Sequence, residues 1–222
     1  MISDRDRNYF LDRMAEYSES PSIKSSYYKE LLRSLLSDIK LSYIDDQGDH
    51  KILKLHHGKQ ERMVAKKFQE NNIILPYATI YQNGIEEDTK RRRTGDTLVY
   101  STVWDEDEQR AKRVVSIADV PVKAKYSLNV WSKYISHIDQ ISSRLRSYFN
   151  PNLNLRLKNN LIAVSFLSAE EDESKIEVND KEDRLIRKNF TIEVQGYIPS
   201  PKFLLTNTGK IERVIQNIEI TE

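Results

Sequence analysis

Four histidines are the side chains of this sequence best suited to bind a metal or to move protons at neutral pH: His50, His56, His57 and His137. His56 and His57 are adjacent on a predicted strand, where neighbouring side chains point to opposite faces, so the two cannot chelate one ion. The spacing HExxH, which places two histidines on one face of a helix, does not occur. We therefore predict no metal site.

Carboxylates cluster in the segment Asp45-Asp46-Gln47-Gly48-Asp49, which superficially matches a calcium-binding loop. The glycine comes too early for such a loop, and His56 stands where the loop needs a bidentate Glu. These turn-forming residues predict a β-hairpin instead. The sequence also has no cysteine, no glycine-rich nucleotide loop and no serine elbow of a hydrolase. We predict no catalytic residue, no cofactor-binding residue and no enzymatic activity.

The balance of charges gives no global electrostatic case for a dedicated binder of nucleic acid or of anionic membranes. The 222 residues include 35 Lys+Arg and 34 Asp+Glu, which leaves a formal net charge of +1. No window approaches the ~18 apolar residues of a membrane span. The lack of cysteine fits a reducing compartment. We expect a protein that is made in the cytoplasm and does not enter a membrane.

Two charged blocks carry the residue types of a docking surface. Acidic residues precede Lys90–Arg93 and again precede a second basic group, and the run Thr97–Trp104 between them has high strand propensity. We predict an extended arm or hairpin over residues 82–113. It is either a solvated loop or an arm that docks on a neighbouring subunit through charge complementarity. Phosphate binding is disfavoured because no aromatic side chains are interleaved with the basic ones. The candidate interface residues are Lys90, Arg91, Arg92, Arg93, Asp105, Glu106, Arg110 and Arg113.

Hydrophobic periodicity defines the elements that position these residues. Apolar residues three and four apart predict amphipathic helices over 26–37 and 135–148. Strict alternation predicts strands over 121–130 and 186–195. Further elements are a hairpin over 39–55, a helix over 59–69, strands over 153–157 and 161–167, and an acidic loop over 170–183.

These elements indicate an α+β fold. Helices and strands alternate without the regular cadence of a parallel sheet, so we predict a mixed, mainly antiparallel sheet with helices packed on one face. A charged arm would protrude from it. Residues 1–24 form a polar N-terminal arm in this prediction, and residues 25–222 form a single domain.

Three elements of the C-terminal half carry a recognisable pattern. A strand with a Tyr-x-Leu motif precedes a helix that contains Gln-Ile and ends in a Tyr-Phe-x-Pro turn, and a later strand ends in a Val-x-Gly-aromatic step. The residues that carry the pattern are Tyr126, Leu128, Gln140, Ile141, Tyr148, Phe149, Pro151, Phe190, Val194, Gly196 and Tyr197. In this pattern the sequence resembles the tail sheath stabiliser and tail-completion proteins of contractile-tailed bacteriophages. We expect Tyr148 and Phe149 to pack in the core, and Gly196 to let the backbone turn where a side chain would obstruct it.

The resemblance implies a structural virion protein with a fold similar to that of phage tail terminator proteins. It implies a homohexameric ring at the head-proximal end of the tail, which closes the tube, holds the last sheath layer and meets the neck. Its partners would be copies of itself, the tube protein, the sheath protein and neck proteins. DNA would pass through the ring without sequence-specific binding, and no cofactor is implied.

Two alternatives stay open at this point. The chain is a neck or head-to-tail adaptor that does not contact the sheath, or it is an unrelated DNA-binding module. An enzyme should show a concave pocket with perturbed titratable residues, whereas a ring protein should leave extended arms and apolar patches that only oligomerisation covers. The sequence favours the ring protein.

Overall fold

The computed structural model describes residues 12, 21–58, 75–92, 98–105, 108–157, 161–172, 186–206 and 209–215. The described residues form two helices and twelve strands. The helices are α1 (Pro21–Asp38) and α2 (Ile135–Tyr148), and the strands are β1 (Leu41–Ile44), β2 (His50–Leu53), β3 (Leu55–His57), β4 (Tyr77–Glu87), β5 (Leu98–Asp105), β6 (Arg110–Ile117), β7 (Val120–Ser132), β8 (Leu153–Arg156), β9 (Ile162–Asp172), β10 (Ile186–Ile198), β11 (Lys202–Leu205) and β12 (Ile211–Ile215). The predicted helix over 59–69 lies outside the described residues, as do most of the predicted arm 1–24 and residues 173–183 of the acidic loop.

The strands are arranged in three sheets. The main sheet has the order β3-β4-β7-β10-β9-β8, and a second sheet has the order β12-β11-β6-β5. β1 and β2 form a separate antiparallel hairpin, as the turn residues of 45–49 predict. The main sheet is mixed, because β3 pairs with β4 in parallel while its other neighbouring strands are antiparallel.

The prediction of an α+β fold with helices packed on one face of a mainly antiparallel sheet is wrong. The described chain is mostly β, and its mixed main sheet is curled. The error has a physical cause in the second sheet. β5 is exposed along nearly its whole length, and β6 (Arg-Ala-Lys-Arg-Val-Val-Ser-Ile) carries its charges together in its first half. Neither strand shows the apolar–polar alternation of a half-buried strand. The pairing of β6 with β11 joins segments far apart in the chain, which local periodicity does not reveal.

Both predicted amphipathic helices are present. α1 begins at Pro21, a residue suited to the first turn because it lacks the N–H that would stay unpaired there. α2 covers the predicted range and ends at Tyr148, shortly before Pro151, which cannot continue a helix. No helix of the described residues is long and apolar enough to span a membrane.

The main core lies between the curled sheet and the two helices. α1 contributes Tyr27, Leu31 and Leu35, one apolar stripe of the helix, and each is at most 2% exposed. β7 and β10 cross the middle of the sheet and pair over thirteen consecutive residues. β7 is buried at most positions on both faces, as expected for a central strand.

Two strands of the second sheet are joined directly to the two central strands of the main sheet. β6 leads into β7 after two residues, and β10 leads into β11 across Pro199–Pro201. Ser200 joins these two connections, because its backbone N–H donates to Asp119 Oδ1 at 2.9 Å and its hydroxyl donates to the Ala118 carbonyl at 3.3 Å. The second sheet has a small apolar cluster of its own, formed by Val115, Phe203, Leu205, Leu98, Ile211 and Val214.

Candidate subunit interface

Asp88 anchors the basic turn that follows β4. Its side chain is 5% exposed, and its backbone N–H donates to the Pro121 carbonyl at 2.9 Å. Its carboxylate accepts hydrogen bonds from Arg91 Nε at 2.6 Å and from the Lys90 backbone N–H at 3.2 Å. Lys123 Nζ lies 3.8 Å away. The hydrogen bond from Arg91 holds the pKa of Asp88 below its ordinary value.

Arg91 makes its contacts inside the subunit. The guanidinium that binds Asp88 also donates from Nη2 to the Val122 carbonyl at 3.0 Å. It lies 5.1 Å from the centroid of the Tyr197 ring, within the range of a cation–π interaction. Arg91 therefore ties the turn to β7 and β10 and positions the half-exposed Tyr197 ring.

Lys90 and Arg92 are the exposed cations of the same turn. Arg92 Nη1 lies 2.9 Å from Glu87 Oε1, and both side chains are more than a third exposed. Such a surface ion pair contributes little to folding, so the Arg92 charge can be used by a partner. Arg93, the last residue of the predicted basic block, lies outside the described residues.

Lys112 is the centre of a carboxylate cluster in the second sheet. Its Nζ lies 2.8 Å from Asp105 Oδ2, 2.7 Å from Glu108 Oε1 and 3.2 Å from Glu212 Oε1, and its side chain is 5% exposed. Hydrogen bonds to Asp105 and Glu108 raise the pKa of Lys112. The hydrogen bond from Lys112 in turn lowers the pKa of Glu108. The cluster fastens β12 to the β5–β6 hairpin.

The remaining described candidates lie in the β5–β6 hairpin. Asp105 and Arg110 are paired in register at the tip of the β5–β6 hairpin, and Arg110 forms an ion pair with Glu108. Arg113 lies further along β6 and is exposed, while Glu106 lies outside the described residues. The structure thus brings the predicted interface residues together in two groups, one in the turn after β4 and one in the hairpin.

Exposed apolar side chains along β5 are a surface feature that the charge pattern did not reveal. Val99 is 38% exposed, Tyr100 49%, Val103 42% and Trp104 59%. The sequence predicts this run only as part of an extended arm or hairpin between two charged blocks. Its composition also indicates an unprotected edge strand, since β5 contains no Pro, no Lys and a single acidic residue at its end.

The residues of the phage-like pattern lie on β7, α2 and β10. Most of them are buried: Tyr126, Leu128, Ile141, Phe149, Phe190, Val194 and Gly196. Gln140 and Tyr148 are partly buried, and Pro151 and Tyr197 are exposed. The pattern therefore consists mainly of core residues. Burial raises the pKa of the Tyr126 hydroxyl.

Two residues of the pattern attach α2 to the segment that enters the β1–β2 hairpin. The Gln140 amide pairs with both backbone groups of Ile44, accepting from the N–H at 2.8 Å and donating to the carbonyl at 3.5 Å. Tyr148 donates its hydroxyl hydrogen to the Lys40 carbonyl at 2.9 Å. The Gln140 side chain thus occupies the place of a neighbouring strand at the end of β1. Tyr148 does more than pack in the core, whereas Phe149 is buried there as expected.

Gly196 does not turn the backbone. It lies inside the regular strand β10, opposite Val122. Its role is to leave room for α1, because a Cβ at this position would stand 2.0 Å from Tyr27 Oη and 3.4 Å from the Ala163 Cβ. Tyr27 is 2% exposed, and burial raises its pKa to about 12.

Asp45 and His56 have structural partners. Asp45 Oδ1 accepts from the backbone N–H groups of Gln47 and Asp49 at 3.0 and 2.9 Å, which shapes the hairpin turn. His56 stacks on Tyr77 with ring centroids 4.8 Å apart. Within the described ranges, no three His, Asp or Glu side chains are grouped to hold a metal ion.

Glu170, at the start of the predicted acidic loop, is an ion-paired residue of β9. Its Oε2 accepts from Arg146 Nε at 2.9 Å and Nη2 at 2.6 Å, and its Oε1 lies 2.5 Å from Lys188 Nζ. These cations outweigh the effect of burial and lower its pKa. Beside it, a shallow groove of about 480 Å³ runs between the end of α2 and Leu167.

The described residues thus combine a continuous buried core with charged and apolar side chains on projecting strands. A family model described as T4-like virus Myoviridae tail sheath stabiliser matches residues 23–222. Because the match spans nearly the whole chain, the protein belongs to this family of structural phage tail proteins. The resemblance found in the sequence is confirmed, and membership implies a place in the virion tail and contact with the sheath. A comparison with curated proteins gives no match.

Proposed function

We propose that the protein forms a ring at the head-proximal end of a contractile phage tail. In this position it terminates the tail tube, stabilises the last layer of sheath and connects the tail to the neck. The observation that carries the proposal is the match of residues 23–222 to the tail sheath stabiliser family. DNA passes through the ring without sequence-specific binding, in keeping with a net charge of +1.

The described surface supports contacts of two kinds. Lys90, Arg92 and Arg113 are exposed cations, free of the buried contacts that hold Arg91. Charged groups of this kind steer partners and fix their register more than they add affinity. The exposed apolar side chains of β5 supply the area that a stable contact buries. Arg93 and Glu106 stay in the proposed interface because of their charge.

The first experiment measures the native mass of the purified protein by light scattering and images the same sample for rings. A hexamer or an annulus is the expected result. The same sample is then added to purified tail tubes with assembled sheath. Binding at one end of the sheathed tail supports the proposal, whereas a protein that neither forms rings nor binds tails refutes it. Binding to tails that lack sheath, with none to sheathed ends, would favour a neck adaptor.

A charge reversal separates the docking role of the turn from its structural role. We expect the double variant Lys90→Glu, Arg92→Glu to fold normally and to bind sheathed tails more weakly, because both side chains are exposed. Arg91→Glu should instead lower stability, since it places two carboxylates together at Asp88. Arg144→Glu, an exposed change on α2, is the matched control. Equal binding by the double variant and this control would remove the turn from the interface.

A further inference from the structure

β5 has the properties of a strand that pairs with another strand. It is an edge of the second sheet, and among the described residues its outer side has no strand partner. All eight of its residues pair in unbroken register with β6. Exposed edges are normally protected by Lys, Pro or a bulge, and β5 has none of these while exposing Tyr100, Val103 and Trp104. A regular apolar edge of this length is a template for a further strand.

The opposite edge of the same sheet is β12, and its direction suits β5. Each strand of the second sheet is antiparallel to its neighbour. Because the sheet has four strands, its two edge strands run in opposite directions. When two copies stand side by side in the same orientation, β12 of one copy therefore lies antiparallel to β5 of the next. The joined sheet would continue the pairing pattern without a break.

The side chains of the two edges also match. Register places Tyr100 on the face of Val115, which also carries Phe203 and Val214. Trp104, four residues after Tyr100 on β5, lies on the same face and pairs with Ala111. The exposed aromatic side chains of β5 would thus extend the apolar cluster of the neighbouring sheet at its β12 edge, where Val214 is only partly buried.

The ends of the two edge strands also lie level with each other in the sheet. Both hairpin tips lie at one end of the sheet, since Arg113 of β6 pairs with Leu205 at the end of β11. At this end β12 begins after the exposed Lys210 and carries the exposed Arg213. At the β5–β6 tip, Lys112 binds Asp105 and Glu108 of its own hairpin and Glu212 of its own β12, so both edges carry charges of both signs. The contact between copies would therefore rest on strand pairing and on apolar area.

We propose that β5 of one copy pairs with β12 of the next copy, so that the second sheets join into one continuous antiparallel sheet around the ring. The inference rests on the proposed ring and names the surfaces that build it. A ring needs two different patches on each subunit, and the two edges of one sheet are such patches. Pairing of β5 with a second β5 would instead close a two-fold dimer.

The natural absence of cysteine allows a direct test by disulfide cross-linking. Arg213→Cys is combined in turn with Val99→Cys, Ser101→Cys and Val103→Cys, which lie on the same face as Arg213. A disulfide requires Cα atoms roughly 4.4–6.8 Å apart, whereas β5 and β12 of one copy are separated by two strands, about 14 Å. Only bonds between copies can therefore form. The three single β5 variants and the pair Arg156→Cys, Arg213→Cys are the controls.

Oxidation is carried out on the purified protein and on assembled tails, followed by non-reducing gel electrophoresis and light scattering. We expect at least one double variant to give a ladder of cross-linked copies up to the size of the ring, and the controls to give none. Rings that resist cross-linking in all three double variants would overturn the β5–β12 pairing and leave the proposed function intact. Dimers in a single β5 variant would overturn it in favour of two-fold pairing. Monomers in both samples would refute the ring itself and the pairing with it.

A second pair of variants tests the edge without cysteine. Val103→Lys places a charge on the exposed edge strand, while Val103→Thr keeps a β-branched, uncharged side chain. Val103 is 42% exposed but pairs with Lys112 of β6, so urea unfolding of both variants first checks that the Lys change leaves the fold intact. We expect the Lys variant to need at least a tenfold higher protein concentration to form rings. The Thr variant should form rings at nearly the same concentration as the unchanged protein. Equal ring formation by the two variants, or loss confined to sheath binding, would overturn the pairing.

Discussion

Replacing Gly196 with Ala tests whether the contact between α1 and β10 determines the stability of the core. The new Cβ would stand 2.0 Å from Tyr27 Oη and 3.3 Å from Tyr27 Cζ. The first distance is far below van der Waals contact, and Tyr27, at 2% exposed, has little room to move. The side chain or the helix must shift.

The sign of the effect follows from two opposing contributions. Ala in place of Gly within a strand gains about 0.5–1 kcal/mol through backbone entropy. Overpacking of a filled core costs about 1–3 kcal/mol. The clash at 2.0 Å puts the cost in the upper part of this range, so we expect Gly196→Ala to lower the free energy of unfolding by about 1–2 kcal/mol.

Urea unfolding of the unchanged protein, the single variants Gly196→Ala and Tyr27→Phe, and their double variant measures this contact. Tyr27→Phe removes the clashing oxygen, so the double variant Tyr27→Phe, Gly196→Ala should regain at least about 1 kcal/mol relative to the sum of the single changes. Gly84→Ala is the matched control, since a Cβ there meets nothing within 4 Å. The reasoning fails if Gly196→Ala is as stable as Gly84→Ala, or if Tyr27→Phe does not rescue it.

Two further variants test contacts made by polar side chains. Gln140→Ala should lower the free energy of unfolding by about 1 kcal/mol and speed amide exchange at Ile44. Gln140→Glu, which keeps the acceptor oxygen, is the control. Unchanged exchange at Ile44 in the Ala variant would show that the Gln140 side chain does not take the place of a neighbouring strand. Lys112→Met should destabilise the protein at neutral pH by leaving carboxylates without their cation. The depressed pKa of Glu108 contributes stability above its ordinary value of 4.5, and this contribution is lost as the pH falls through the folded value. The urea midpoints of Lys112→Met and the unchanged protein should therefore differ steadily from pH 7 down to about pH 4.5 and approach each other as the pH falls further. A difference that stays constant below pH 4.5 would refute the role of the cluster.

The elements with strong local patterns could be predicted from the sequence. α2 has an apolar residue at every third or fourth position and a proline just beyond its end, and these two signals fix its extent. β7 and β10 alternate over long runs, so their existence and type follow from the sequence as well. Each of these elements is specified by its own residues.

The second sheet could not be predicted, because its strands depend on partners far away in the chain. β11 and β12 have only four and five residues, and β6 carries several charges. Lys112 shows the difficulty well, since nothing in its neighbourhood says that Glu212 will lie 3.2 Å from it. The fold class was wrong for this reason.

The candidate interface was located by charge alone, and charge does not identify the partner. Lys90 and Arg91 are neighbours of similar type, yet one is exposed and the other is bound to Asp88 and Val122. Gln140 shows the opposite case. The phage-like pattern marked it, while its hydrogen bonds to Ile44 became visible only in three dimensions.

The contacts of Ser200 with Ala118 and Asp119 tie together the two chain segments that connect the main sheet to the second sheet. A pull on the β5–β6 hairpin passes along the covalent backbone of β6 into β7, with no loop to take up slack. Because β6 is paired with β11, a pull on the second sheet reaches β7 and β10 from the same end. Strand hydrogen bonds stand perpendicular to the strands, so this force loads the pairings of β7 with β4 and of β10 with β9 in shear. The Ser200 contacts stop the two chain crossings from parting under that load. A pull on the projecting second sheet is therefore shared by two central strands of the main sheet.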